Sequence, residues 1–158
     1  MTMQATDTAV RTSTTVDAPI DRAFWLFTEG MPTWWPEDHH ILQGELAEMV
    51  FEPREGGRIY DRGVDGSECT WARVLEYEPP HRVVFSWDIN PQWQIEQDHQ
   101  KTSEVVVRFT PEGPDRTQVE LEHRHLDRHG EGWESMRDAV GSPEGWSLKG
   151  FAAAAKAL

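Results

Sequence analysis

One pattern repeats from residue 48 to residue 126: short stretches of alternating apolar and polar residues, separated by turns rich in glycine or proline. In one stretch Val83, Phe85 and Trp87 alternate with Val84, Ser86 and Asp88. Alternate residues of a strand share a face, so this pattern predicts strands with one face toward a core. The connections, at Gly56-Gly57 and Pro79-Pro80 for example, are too short for crossover helices. The sheet is therefore predicted to be an antiparallel meander.

Helical patterns flank this block of about six strands. "TAVRTSTTVDAP" predicts a first strand, "APIDRAFWLFTEG" a short helix that ends at Gly30, and "MPTWWPED" a second short helical turn stopped at Pro36. After the sheet, "GEGWESMRDAV" predicts a helix. Ser142 and Pro143 are suited to start the long last helix, "PEGWSLKGFAAAAKAL". A curved sheet with a long helix across its concave face tends to enclose an apolar cavity.

The bulk composition narrows the class of protein. With 158 residues we expect one domain over 1–158, with 1–8 flexible. The net charge of −13 argues against nucleic acid and anionic membranes as partners. No apolar run is long enough to span a membrane, and the start lacks the features of a signal peptide. The single cysteine, Cys69, fits a cytoplasmic location and has no base nearby in sequence that would make it a nucleophile.

Several stretches, taken in order, resemble a known family. They are "VDAPIDRAFWLFTEGMPTWWP", "GGRIYDRGVDG", "WARVLEYEPPHRVVFSW", "TQVELEHRHLDRHGEGWE" and "GWSLKGFAAA". Together they are similar to the family named for the activator of the heat-shock-protein-90 ATPase, within the START-like (SRPBCC, Bet v 1-like) superfamily. The resemblance implies an α+β helix-grip fold, in which a seven-stranded antiparallel sheet wraps a long C-terminal helix around a hydrophobic cavity. It does not imply one activity, because that superfamily includes lipid carriers, hormone receptors, polyketide cyclases, oxygenase domains and co-chaperones.

The segment "TEGMPTWWPEDHHILQ" combines tryptophans, acids and two histidines. His39 and His40, with Glu37 or Asp38, are candidate metal ligands. Neighbouring residues rarely bind one ion together, and no complete ligand motif such as H-E-x-x-H is present. We therefore favour a structural role, in which Trp34 or Trp35 closes the end of the cavity and the histidines lie at the surface.

The segment "EHRHLDRH" is the second candidate. If Val119 and Leu121 face inward, alternation places His123 and His125 on the same face. An inward histidine can hydrogen-bond a ligand or act as an acid or base. The alternative is that the strand has reached the rim, where both rings are solvated or satisfied by neighbours; His125 is the nearer to that rim. A metal would need a third ligand such as Asp127 or His129.

We predict a binding module for a small hydrophobic or aromatic molecule, with His123 or Tyr60 orienting its polar end. The alternatives are a co-chaperone-like regulator of a heat-shock ATPase and a cyclase- or hydrolase-like enzyme that uses an inward histidine. We predict no cofactor, no metal and no assigned catalytic residue; a homodimer is left open. We expect Arg73, Arg108 and Arg124 to pair with acids rather than to bind an anion. The predicted cavity lining is Phe24, Phe27, Trp35, Tyr60, Trp71, Phe85, Trp87, Val107, Phe109, Leu121, His123, Trp133, Trp146 and Phe151.

Overall fold

The computed structural model describes residues 8–35, 40, 42, 44–142, 145–146 and 148–157. The predicted flexible start falls outside these residues, apart from Thr8. The strands are β1 (Val10–Val16), β2 (Leu46–Phe51), β3 (Arg58–Gly63), β4 (Glu68–Glu78), β5 (Arg82–Trp87), β6 (Ser103–Gly113) and β7 (Arg116–Arg124). The helices are α1 (Ile20–Phe27), α2 (Trp133–Val140) and α3 (Lys149–Lys156), and short 3-10 turns lie at Met31–Thr33, His99–Lys101 and Leu126–His129.

The seven strands form one antiparallel sheet in the order β1-β7-β6-β5-β4-β3-β2. Strands β2 to β7 follow one another as a meander, while β1 returns to pair with β7. The predicted fold is confirmed, including the turns at Gly56-Gly57 and Pro79-Pro80 between β2 and β3 and between β4 and β5. Gly56 has a φ of 84°, a left-handed conformation in which glycine avoids the strain of a side chain.

Helix α1 begins after Pro19 and turns its apolar side chains, among them Phe24 and Phe27, into the core. The chain turns at Gly30, where an added Cβ would lie 2.9 Å from Leu26 Cα. Glycine is therefore required there. The 3-10 turn Met31–Thr33 follows, in the segment predicted to be a second helical turn; Pro36, its predicted end, lies outside the described residues.

The C-terminal helix differs from the prediction in where it begins. Helix α3 starts at Lys149, after Leu148, which has a φ of 58°. The predicted start, Pro143, falls outside the described residues. An added Cβ on Gly150 would lie 3.0 Å from the backbone oxygen of Trp34, so the helix packs closely against the segment after α1. None of the helices described in this chain is long and apolar enough to cross a membrane.

Candidate functional site

Five large rings meet on the inner face of the sheet, and we name them the aromatic cluster: Trp35, Trp71, Phe85, Trp87 and Trp146. Strands β4 and β5 supply three of these rings, and irregular segments supply Trp35 and Trp146. Trp71 lies 5.2 Å from Trp35 and 5.7 Å from Trp87, measured between ring centroids. Trp146 lies 5.7 Å from both Trp35 and Trp87. These separations are typical of rings in edge or offset contact.

A second group of rings continues this layer toward the helices. Phe27 lies 5.4 Å from Phe151 of α3 and 6.0 Å from Phe109 of β6. Trp34 contacts both Phe27 and Phe151, and lies 6.0 Å from Trp35. The space between the sheet and helices α1 and α3 is therefore lined largely by aromatic side chains.

A chain of hydrogen bonds borders the aromatic cluster at the β6–β7 side. Trp146 Nε1 lies 3.1 Å from His123 Nδ1, and His123 Nε2 lies 2.7 Å from Ser103 Oγ. Ser103 Oγ is also 2.7 Å from His129 Nε2. All four side chains are buried. We call His123, Ser103 and His129 the histidine chain.

The hydrogen-bond partners determine the tautomer of His123, and the direction of the Ser103 hydroxyl sets the tautomer of His129. An indole N–H only donates, so His123 Nδ1 accepts and its proton is on Nε2, which donates to Ser103. With the Ser103 hydroxyl donating to His129 Nε2, each bond has one donor and one acceptor, and the His129 proton lies on Nδ1. Complete burial, together with the nearby His129, lowers the pKa of His123 to about 3. Burial also lowers the pKa of His129, against the opposing charges of Glu96 and Asp88.

Two buried N–H groups next to this chain lack an acceptor among the described residues: His129 Nδ1 and Trp87 Nε1. Trp87 is opposite Ser103 in the β5–β6 register, and its ring lies 5.2 Å from the ring of His123. Buried donors are nearly always satisfied in folded proteins, and one left unpaired costs about 1–3 kcal/mol. The arrangement can therefore donate hydrogen bonds to an oxygen of a bound molecule.

A different polar pair borders the cluster on the β3 side. Asp61 Oδ2 lies 2.8 Å from His40 Nδ1, and the Asp61 side chain is almost completely buried. Burial raises the pKa of Asp61, while the hydrogen bond from His40 acts in the opposite direction. Cys69 is opposite Asp61 in the β3–β4 register, and burial and the charge of Asp61 raise the pKa of its thiol. A raised pKa leaves less of the reactive thiolate at neutral pH.

Most of the predicted lining residues belong to the inner layer of the fold. Phe24, Val107 and Leu121 are buried in the hydrophobic core, as are the strand members of the aromatic cluster and the second ring group. His123 faces inward, and Trp146 and Ser103 occupy both of its ring nitrogens. Its hydrogen bonds are therefore satisfied by neighbouring side chains, which is the alternative given in the sequence analysis. His125 has a φ of 62° and leaves the strand before the Leu126–His129 turn.

Tyr60 and Trp133 lie away from the aromatic cluster, and the prediction for Tyr60 needs correction. The Tyr60 ring packs under Arg58, whose guanidinium carbon is 4.2 Å from its centroid, and its hydroxyl accepts a hydrogen bond from Arg62 at 3.0 Å. It therefore lies on the sheet face opposite Ile59 and Asp61. Trp133 is half-buried at the edge of the core, with Arg137 5.1 Å above its ring.

The other candidate residues are the acids and histidines at positions 37–40 and the arginines of the strands. His40 contacts Asp61 and is mostly buried, so the expectation that it lies at the surface is corrected; Glu37, Asp38 and His39 lie outside the described residues. Within the described part of the chain, no three His, Cys, Asp or Glu side chains are grouped so that they could hold a metal ion. Arg73 pairs with buried Asp88 at 3.0 Å, and Arg124 pairs with Glu104 at 2.9 Å.

Two residues of this site, Ser103 and Asp61, were not predicted from the amino-acid sequence. Ser103 was not singled out, although in the β5–β6 register it is paired with Trp87, at the end of the inward-facing run of β6. Asp61 was also missed, although it is two residues from the core residue Ile59 on β3. Once Ile59 and Val105 are known to face the core, strand alternation places both Asp61 and Ser103 on the same side.

The comparisons with known proteins agree with this architecture. The sequence profile described as "Activator of Hsp90 ATPase homolog 1-like protein" matches residues 17–148. The anthrahydroquino-γ-pyrone synthase Txn09, solved in complex with SUM, is 40% identical over 92% of this chain and 95% of its own, with a TM-score of 0.66. The self-sacrificing resistance protein CalC from Micromonospora echinospora is 30% identical over 96% of both chains, with a TM-score of 0.69.

A more distant structure is similar in fold. An Hsp90 activator from Plasmodium falciparum is 20% identical, covers 74% of this chain and 72% of its own, and gives a TM-score of 0.51. No match was found among curated proteins.

Proposed function

The chain belongs to the family of Activator of Hsp90 ATPase homolog 1-like proteins, and from this premise we propose that it binds a flat, oxygen-bearing aromatic molecule between the sheet and helix α3. The observation that carries the proposal is a pair of buried nitrogens beside the aromatic cluster, Trp87 Nε1 and His129 Nδ1, which lack a hydrogen-bond partner among the described residues. A carbonyl or phenolic oxygen would accept hydrogen bonds from them, while the rings of the ligand stack on the indoles.

In this mode of binding the aromatic cluster has to open. The rings of the cluster touch one another, so a planar ligand has to insert between them. Trp71, Phe85 and Trp87 are held by strands, whereas Trp35 and Trp146 lie outside regular strands and helices. Trp35 can rotate without breaking the hydrogen bonds of the sheet, whereas rotation of Trp146 would break its hydrogen bond to His123. We therefore assign to Trp35 the role of the ring that moves aside for the ligand.

The similarity to Txn09 supports the chemical class of the ligand. Txn09 is named for an anthrahydroquinone pyrone, which is a fused-ring molecule with several oxygens. At 40% identity over nearly the whole length of both chains, this is a reasonable guide to the shape of a ligand. It does not determine the reaction, because one fold can carry several activities.

The test is a fluorescence titration of the protein with alizarin, a dihydroxyanthraquinone, followed at tryptophan emission. Saturable quenching is expected. Trp87→Phe keeps a ring but removes one donor, and we expect it to weaken binding by about 2–10-fold. Trp25→Phe is the matched control, because Trp25 is 46% exposed and on the far side of α1 from the core. Absence of saturable binding to the unmodified protein would contradict the proposal.

A cyclase-like activity is the second candidate, and the relation to a named synthase is the observation that favours it. Its test is chromatography of a phenolic polyketide incubated with native or heat-denatured protein. A cyclised product that forms only with native protein supports this candidate. If the substrate is unchanged, the cyclase-like activity is contradicted and the binding proposal is not affected.

A further inference from the structure

Asp61 is a carboxylate on the core face of the sheet. In the β2–β3 register it is opposite Met49, and two residues earlier Ile59 is opposite Phe51. Met49, Phe51 and Ile59 all belong to the hydrophobic core, and paired residues share a face. The Asp61 residue is only 1% exposed. A buried carboxylate in such a position is expensive unless its oxygens are satisfied.

Within normal hydrogen-bond distance, one of the two oxygens has a partner in the described structure, and the Trp71 side chain lies nearby as a second donor. Oδ2 accepts from His40 Nδ1 at 2.8 Å, because an ionised carboxylate cannot donate. Oδ1 is buried and lacks a hydrogen-bond partner among the residues that the structure describes. The free oxygen is therefore an acceptor held at fixed orientation by the histidine.

The free oxygen lies next to the aromatic cluster. The register of β3 and β4 pairs Tyr60 with Thr70 and Ile59 with Ala72, so the extra residue on β4 is Trp71. A hydrogen bond from the Trp71 side chain lowers the pKa of Asp61, and the Trp71 ring contacts Trp35 at 5.2 Å. A ligand inserted in the cluster would reach both Asp61 at one end and the donors Trp87 and His129 at the other.

We propose that Asp61, positioned by His40, is a base that takes the proton of a hydroxyl group on the bound aromatic molecule. This inference rests on the proposed function. It also specifies the orientation of the ligand, with an oxygen acceptor at the His129 end and a hydroxyl group at the Asp61 end. In the step, the ligand O–H bond breaks and the proton bonds to Asp61 Oδ1. The electron pair stays on the ligand oxygen, which becomes a phenolate, and the carboxylate becomes neutral.

The surroundings of Asp61 suit this role. Burial is the largest influence on its pKa and raises it, so this carboxylate is a stronger base than an exposed aspartate. His40 favours the ionised form, and the Cys69 thiol, whose pKa is also raised, is the other titratable group near the pair in the described structure. The raised pKa keeps the Cys69 thiol protonated, and His40 occupies Oδ2, so Oδ1 is the carboxylate atom that receives the proton.

The experiment uses the absorption spectrum of alizarin, which shifts to longer wavelength when a phenol is deprotonated. The dye is bound to the full chain at a pH where free alizarin is mostly protonated. Bound to the unmodified protein it is expected to show the phenolate spectrum. With Asp61→Asn, the phenolate fraction of the bound dye is expected to be about tenfold lower at the same saturation. With His40→Gln, this fraction is expected to lie between the values for the unmodified protein and Asp61→Asn. Asp115→Asn, in the exposed turn between β6 and β7, is the matched control.

The outcomes separate the two proposals. Binding with the same spectrum in the unmodified protein and in Asp61→Asn would overturn the base while leaving the proposed function standing. No binding to the unmodified protein would overturn both. Should Asp61→Asn fail to fold, the ¹³C chemical shift of the Asp61 carboxyl group decides: protonation on adding dye supports the base, and an unchanged shift overturns it.

Discussion

The aromatic cluster is bordered by two buried polar groups that contain histidine, and they differ in charge. The histidine chain is neutral throughout, because Trp146, Ser103 and both imidazoles exchange dipolar hydrogen bonds and the pKa of His123 falls to about 3. The Asp61–His40 pair instead keeps an ionisable carboxylate, one oxygen of which lacks a hydrogen-bond partner in the described part of the chain. Burial favours the neutral form of both kinds of group, which moves the two pKa values in opposite directions. One end of the cluster therefore offers donors, and the other offers a base.

The largest expected effect is the loss of the histidine chain. His123→Ala leaves the Trp146 N–H and the Ser103 hydroxyl without their partner in a fully buried position. We expect the free energy of unfolding to fall by about 2–4 kcal/mol, from the unpaired polar groups and the cavity. Urea denaturation at neutral pH measures it. His81→Ala, at an exposed turn, is the control and should change stability by less than about 0.5 kcal/mol.

The second effect is a pH dependence carried by His123. Because its folded-state pKa is lowered from 6.5 to about 3, its contribution to stability is complete above pH 6.5 and is lost as the pH falls toward 3. Between these pH values the unfolded chain binds a proton that the folded chain does not. The free energy of unfolding therefore falls by about 1.4 kcal/mol for each pH unit of acidification. His129 acts in the same direction.

The measurement is urea denaturation of the unmodified protein and of His123→Gln at pH 6.5 and 4.5. Glutamine can keep both hydrogen bonds but cannot titrate, so its loss of stability between these values should be smaller by about 2 kcal/mol. Equal losses in the two proteins would mean that His123 is protonated in the folded state.

Asp61→Asn is expected to act with the opposite sign. The pKa of Asp61 is raised, so the carboxyl favours folding below its unfolded value and loses that contribution as the pH rises through the folded value. Asparagine removes the cost of the buried charge, and we expect about 1 kcal/mol of added stability at pH 7.5 and none at pH 3.5. Thermal or urea unfolding at the two pH values checks this. A destabilised variant at pH 7.5 would show that the ion pair with His40 outweighs burial.

The smallest effect is expected outside the cluster. Tyr60→Phe removes the hydrogen bond from Arg62 but leaves the ring under Arg58. Stability should change by about 0.5 kcal/mol, and the affinity for alizarin should not change. A loss of affinity as large as that of Trp87→Phe would show that Tyr60 contacts the ligand from the interior of the fold.

The sequence predicted the fold well because strand periodicity is a local property. Val83, Phe85 and Trp87 alternate regularly, and the same alternation placed His123 on the inner face. The face of Tyr60 was not predictable in this way. Ile59 and Tyr60 are adjacent and both largely apolar, and only one of them can face the core. The choice follows from the pairing of β3 with β2, where Ile59 is opposite Phe51, and that register is a long-range feature.

The polar partners were harder to predict because they are distant in sequence. His40 and Asp61 are separated by 21 positions, and Ser103 and His129 by 26. Neither pair belongs to a local motif, so each becomes visible only when the strand register is known. The start of α3 was missed for a different reason: Leu148 adopts a left-handed conformation that its residue type does not indicate.

The pairing of β1 with β7 also determines when the site can form. Val10 is opposite His123, so the first strand cannot complete its hydrogen bonds until nearly the whole chain is present. Trp146 and Phe151, which contact the two ring groups, arrive later still during synthesis. Such non-local contacts make folding slow and leave the donor end of the cluster as the last part to assemble. A growing chain on the ribosome therefore cannot capture a ligand before the fold that encloses it is finished.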